Sequence, residues 1–145
     1  MANGTRIDQL RGYNFRVEIG TQTNMGFREC SGLTFDTDVV EYREGTDKNL
    51  HVRKLHGLRK FAHIQLKRGI ITDQSLWLWY LNILNGVDDR RDGAVVLNDE
   101  LQAQQWRWHF FEGFICKWEG PMFNATANEV AVEAIEICVE RVEVG

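Results

Sequence analysis

Between Gln105 and Trp118 the chain reads QWRWHFFEGFICKW, and its bulky residues recur with a period of two. Trp106, Trp108, Phe110, Phe114, Cys116 and Trp118 fall on one face. Arg107, His109 and Lys117 fall on the other, with Phe111 and Ile115 among them. A helix would need apolar residues about every 3.6 positions, so this segment reads as a strand with one side against a core. A strand this long requires neighbours to take up its backbone hydrogen bonds and cover its apolar face.

Other segments supply them. In YNFRVEIG, Tyr13, Phe15, Val17 and Ile19 alternate with Asn14, Arg16 and Glu18. In LTFDTDVVEYRE, Leu33, Phe35 and Val39 oppose Thr34, Asp36 and Asp38. In FAHIQLKRG, Ala62, Ile64 and Leu66 oppose His63, Gln65 and Lys67. Asp92-Gly93 signals a turn before AVVLNDE. A last strand runs from Asn128 to about Glu143. Its apolar side changes near Ala134-Ile135, which predicts a β-bulge or a strand covered on both faces. One helix stands out in TDQSLWLWYLNILNG, with Thr72 or Asp73 as cap, a stripe of Leu76, Trp79, Tyr80 and Ile83, and a stop at Asn85-Gly86. The pattern predicts one mainly β (α+β) domain over residues 1–145: two packed antiparallel β-sheets forming a sandwich or small barrel, with one flanking α-helix. Gly45 to Lys60 is the one long connection without a clear period.

Composition narrows the function. The chain is 43% hydrophobic and 26% charged, ordinary for a globular domain. Seventeen Lys+Arg against 21 Asp+Glu leave a net charge of −4, which does not suit a nucleic-acid binder. Cys30, Cys116 and Cys138 are odd in number and widely spaced, without a CxxC pair, so they predict free thiols in a reducing cytosol. No secretory h-region opens the chain and no apolar run is long enough for a membrane span. His51 and His56 sit on a polar stretch without a companion carboxylate cluster. No nucleophile elbow, HExxH, Walker or Rossmann pattern occurs. Paired carboxylates such as Asp88-Asp89 fall at turns. No enzyme activity, cofactor or metal is expected.

Two features point toward self-association. HVRKLHGLRK, residues 51–60, is basic and follows the acidic Glu41, Glu44 and Asp47, an arrangement that suits docking on another copy. The long strands from Leu33 and from Asn128 contain no proline and show little of the edge protection that monomeric β proteins use.

The segments VVEYREG (39–45), RKLHGL (53–58), LKRGI (66–70), LWLWY (76–80), DRRDGAVVLNDE (89–100), KWEGP (117–121) and NATANEVAVEAIEI (124–137) occur in an order and spacing that resembles tail tube proteins of contractile phage-tail-like particles. The likeness is greatest to the inner tube protein of extracellular contractile injection systems, and it spans about Tyr13 to Glu143. Ala127 stands where many such proteins carry glycine, which implies a slightly different turn there.

The resemblance implies hexameric rings stacked into a hollow conduit that passes a cargo effector. It also implies partners: other copies of the chain, a contractile sheath protein, and baseplate and cap proteins, with no specific nucleic acid. Assembly would occur in the cytoplasm and maturation in a phage-tail-like particle, with release from the cell left open. Ring-to-ring contacts are expected from Glu44, Asp47, Lys48, Arg53 and Lys54, and lumen-facing positions at Thr34, Asp36, Asp38 and Glu133. The rival reading is a monomeric β-sandwich that binds a small ligand in an apolar cavity.

Overall fold

The computed structural model describes residues 12, 14–46, 48, 50–70, 72–101, 103–126 and 130–145, with the side chains of residues 23 and 24 left aside. Tyr13, Asp47, Ala127 and Asn128, assigned roles from the sequence, lie outside the described residues. The strands are β1 (Phe15–Ile19), β2 (Gln22–Met25), β3 (Glu29–Ser31), β4 (Phe35–Tyr42), β5 (Arg53–Phe61), β6 (Ile64–Gly69), β7 (Arg91–Asn98), β8 (Gln104–Glu119), β9 (Val132–Cys138) and β10 (Arg141–Val144), with helix α1 at Ser75–Leu84.

All pairings are antiparallel. The first sheet runs β2-β1-β7-β8-β10 and the second runs β8-β9-β6-β3, so β8 belongs to both. Val17, Ile19, Val95, Phe110 and Val142 from the first sheet meet Ile64, Leu66, Ile115, Ile135 and Ile137 from the second, and Leu76 and Trp79 of α1 close the core. The two packed sheets and the flanking helix follow from period-two strands that each have one apolar face.

The long strand can serve two sheets because it bends. Three register shifts interrupt it, opposite Leu97/Asn98, Arg91/Gly93 and Ile137/Glu136, and at each the extra residue is on β8. Glu112, with φ 53, occupies the middle one, where its N–H donates to Asp92 Oδ1 at 2.9 Å. Each bulge reverses which side of the strand faces the core. Trp108 and Phe110 point inward before Glu112, Ile115 after it, and Trp118 after the next shift. This corrects the single apolar face expected from the sequence. Phe114 instead lies under the Arg90 guanidinium, 5.0 Å from its ring centre, and Cys116 is exposed.

Asp92-Gly93 is not a turn; both residues lie inside β7. A Cβ at Gly93 would run into the Glu18 carbonyl oxygen and the Phe110 ring, so glycine lets the ring lie flat on the sheet. Gly93→Ala is expected to cost about 1–3 kcal/mol through overpacking, measured as a lower denaturation midpoint with an unchanged denaturant slope.

The last strand also departs from expectation. β9 is central, with β8 on one side and β6 on the other, and it pairs with β6 in unbroken register from Ile64↔Ile137 to Gly69↔Val132. It carries no bulge of its own. Val130, ahead of the strand, is exposed, and Val132, its first residue, has the parity opposite to Ile135 and Ile137; these two valines produce the apparent change of side.

The N-cap of α1 is Gln74, with no side-chain cap bond, rather than Thr72 or Asp73; the Asp73 carboxylate accepts the Ser75 N–H at 3.0 Å, a bond that holds its pKa below the ordinary carboxylate value. It ends at Gly86, with φ 82.

On the outer face of the first sheet, Glu18 takes two bonds from Arg107, at 3.1 and 2.9 Å, and one from Arg16 at 3.3 Å. These bonds, Arg107's foremost, lower the Glu18 pKa. A carboxylate with a depressed folded pKa contributes stability above its unfolded value, about 4.3, and loses it as pH falls through the folded value. Glu18→Gln is therefore expected to cost on the order of 1.5 kcal/mol at neutral pH. The gap to the parent should close as the solution is acidified, which unfolding curves across that range would show.

Candidate assembly surfaces

The register that joins β3 to β6, Glu29↔Lys67 to Ser31↔Gln65, continues without a step into Phe35↔Phe61 and Thr37↔Arg59. Ala62 N–H donates to Thr34 O at 3.2 Å between the two ladders. β3–β4 and β5–β6 are thus one long arm that leaves the edge of the second sheet and continues as a separate two-stranded sheet, with β5 touching β10. A two-stranded ribbon is marginal in water. This one exposes Val39 (61%), Val40 (50%), Leu55 (50%) and Leu58 (78%), with Leu50 at its end almost fully bare (93%). Val39 and Val40 are adjacent, so both faces are apolar. Such a surface calls for cover.

The segment expected as a loop from Gly45 to Lys60 is therefore mostly the strand β5. Its alternation is hidden because His56 and Arg59 face Val39 and Thr37 across a bulge on β5. Gly57 sits there, where a Cβ would lie 3.0 Å from Asp38 Cβ. Arg53 faces Tyr42 and Lys54 faces Glu41, both within the ladder and not in a loop. Glu44 accepts the Tyr42 hydroxyl at 2.9 Å, which raises the Tyr42 pKa. Glu44, Arg53 and Lys54 thus gather at the far end of the arm, with exposed Lys48 in the connection. Asp47 is outside the described residues.

Thr34, Asp36 and Asp38 lie at the arm's base. Leu33 and Phe61 pack against the core, and Phe35 meets Phe61 at 5.6 Å, so the alternate positions Thr34, Asp36 and Asp38 point away from it. Asp38 pairs with Lys60 at 3.2 Å; this face is of mixed charge rather than a bare acidic wall.

Glu133 does not belong with them. It shares the core-facing parity of Ile135 and Ile137 and binds Arg68 at 2.8 Å, both side chains being largely buried, while Arg68 also lies 5.5 Å over the Phe27 ring. The alternation read from Val130 and Val132 assigned Glu133 to the wet side; the unbroken β6–β9 register turns it inward.

The outer face of the second sheet is polar. Glu29 pairs with Lys67 (3.5 Å), and Lys117 with Glu119 (2.8 Å) and Glu136 (3.6 Å). The Glu119 bond raises the Lys117 pKa and lowers that of Glu119. Cys116 Sγ lies 3.7 Å from His63 Nδ1, and Glu136 lies 3.6 Å from the same nitrogen. A nucleophile relay needs base and orienting carboxylate on different ring nitrogens, so this grouping is not one. The residues are far apart in the sequence, which offers no signal for it.

The second sheet ends openly on both sides. β7 leaves β8 at Gly113, so residues 114–119 of β8 pair only with β9 among the described residues. At the other end β3 pairs, among the described residues, only with β6. Between the sheets, on the β3 side, a cleft of about 510 Å³ opens between walls that include Phe15, Cys30, Leu33, Val95, Leu97 and Trp108. Burial pushes the Cys30 thiol up to about 11.

Open sheet edges and an uncovered apolar arm define a subunit of a larger β assembly. The profile of the T4-like virus tail tube protein gp19 family matches residues 11–143, and the chain belongs to that family. No curated protein sequence matches it directly.

Among solved structures, a chain from the anti-feeding prophage cap, the AFP tube terminating cap, is similar at 28% identity and TM-score 0.87, over 99% of this chain and 95% of that one. A chain from the PVC sheath–tube complex in its extended state matches at 24% identity and TM-score 0.82, over 94% and 91%. Hcp1 from Flavobacterium johnsoniae shares the fold at 13% identity and TM-score 0.53, over 90% and 94%. The chain is a structural tail tube subunit, and its relatives are tube proteins rather than enzymes.

Proposed function

We propose that copies of this chain close into hexameric rings, that the rings stack into a hollow conduit, and that effector cargo passes through it. The observation that carries this reading is the four-stranded second sheet, open at β3 on one side and at β8 residues 114–119 on the other. Joining one copy's β8 edge to the next copy's β3 edge is a head-to-tail contact, which closes into a ring when the rotation allows and leaves no edge unpaired. The polar face that carries Lys67, Lys117 and Glu136 then lines the lumen, with Thr34, Asp36 and Asp38 beside it. The apolar arm reaches the adjacent ring, with Glu44, Asp47, Lys48, Arg53 and Lys54 at or near its tip.

Similar chains were solved within a sheath–tube complex, a tube-terminating cap and a 6-fold symmetrised baseplate. We propose the same partner classes here: a contractile sheath outside the tube, a baseplate below and a cap above, within an extracellular particle. Negative-stain electron microscopy of the purified chain, with its solution mass, tests the reading. Sixfold rings or stacked tubes are expected. A protein that stays monomeric at high concentration, even when a preformed baseplate is added, would overturn it.

A further inference from the structure

Resting on the ring reading, the geometry points to a specific knob-and-socket joint: we infer that Met122 and Phe123 of one copy seat in the cleft beside β3 of the next. Met122 and Phe123 are 91% and 80% exposed, an adjacent apolar pair with no cover inside the subunit. The turn that presents them is held. Pro121 precedes it, and Asn124 Oδ1 accepts both the Thr126 N–H (3.1 Å) and the Thr126 hydroxyl (2.8 Å).

The socket is the apolar cleft of about 510 Å³ that contains Cys30, Leu33, Leu97 and Trp108. The knob follows the end of β8, at one edge of the sheet, and the socket opens beside β3, at the other. Trp118, Ile135, Leu66 and Cys30 form one rung straight across it, and the knob follows a few residues after Trp118. When the two open edges meet, the chain that leaves one copy's β8 runs past the next copy's β3, beside which the socket opens. At the socket Arg28 stands beside the Lys67–Glu29 pair. The cavity a small-ligand binder would use is, on this account, filled by the neighbouring subunit.

The natural thiol of Cys30 makes the joint testable. In a chain with Cys116→Ala and Cys138→Ala, Phe123→Cys is introduced, and assembled rings are treated with copper–phenanthroline, which removes two electrons as the two thiols lose their protons and join. A ladder of covalent oligomers on non-reducing gels is expected, and its disappearance when Cys30→Ala is added. Phe123→Ala should also raise the concentration needed for ring assembly on the order of tenfold and leave the monomer's melting unchanged.

Rings that form but give no ladder, or a ladder from Trp77→Cys and not from Phe123→Cys, would overturn the joint and leave the tube reading standing. An absence of rings in the unsubstituted chain would overturn both.

Discussion

Replacing Val40 and Leu55 together with aspartate is expected to leave single rings intact and abolish their stacking. The two residues face each other across the arm and are each half-exposed in the subunit. Covering each contributes on the order of 1 kcal/mol, and two buried carboxylates add a desolvation cost. The loss recurs at every copy around a ring, so ring–ring affinity should fall by several orders of magnitude. Sedimentation and microscopy should show rings where the parent forms tubes, with an unchanged circular dichroism spectrum. Val40→Ile with Leu55→Met, which keeps the apolar surface, should restore tubes. Tubes of normal length from the aspartate pair would remove the arm from the stacking joint.

The largest effect on the subunit itself is expected from Glu133→Ala. It leaves the Arg68 guanidinium, 6% exposed as a residue, with a cation–π contact to Phe27 but without its carboxylate. An unpaired buried charge costs about 3–5 kcal/mol, a fall in Tm on the order of 10 °C for a chain of this size. Arg68→Met combined with Glu133→Leu should recover most of that loss, since an apolar pair needs no counter-charge. A lumen-facing Glu133 would behave differently: its removal would leave Tm within about 1–2 °C. Thermal melts of the single and double variants separate the two.

How far the sequence carried can be judged at particular residues. The antiparallel double sheet, the helix and its stop at Gly86 were legible because they rest on simple periods and a glycine signal; the N-cap, Gln74, was not. The long strand's facing was not, since its three bulges arise from pairing with β7 and β9 and leave no local mark apart from Gly113 beside Glu112. β5 was hidden for the same reason: the bulge at Gly57 puts Leu55 and Leu58 out of step. The charged tip residues were legible as a polarity switch. The apolar residues that give the arm its need for cover, Val40, Leu55 and Leu58, were not, because exposure depends on what the fold leaves uncovered. Glu133 was misplaced by Val130 and Val132, which lie on the opposite side from the core-facing Ile135 and Ile137.

The central claim is that the second sheet becomes continuous between copies. A cryo-EM reconstruction of the assembled protein, at a resolution that traces strands, tests it most directly. The account predicts residues 114–119 of each copy hydrogen-bonded to residues 29–31 of the next, and the β4–β5 arm laid against the adjacent ring. Rings in which either edge faces solvent unpaired, or an arm folded back onto its own subunit, would contradict it.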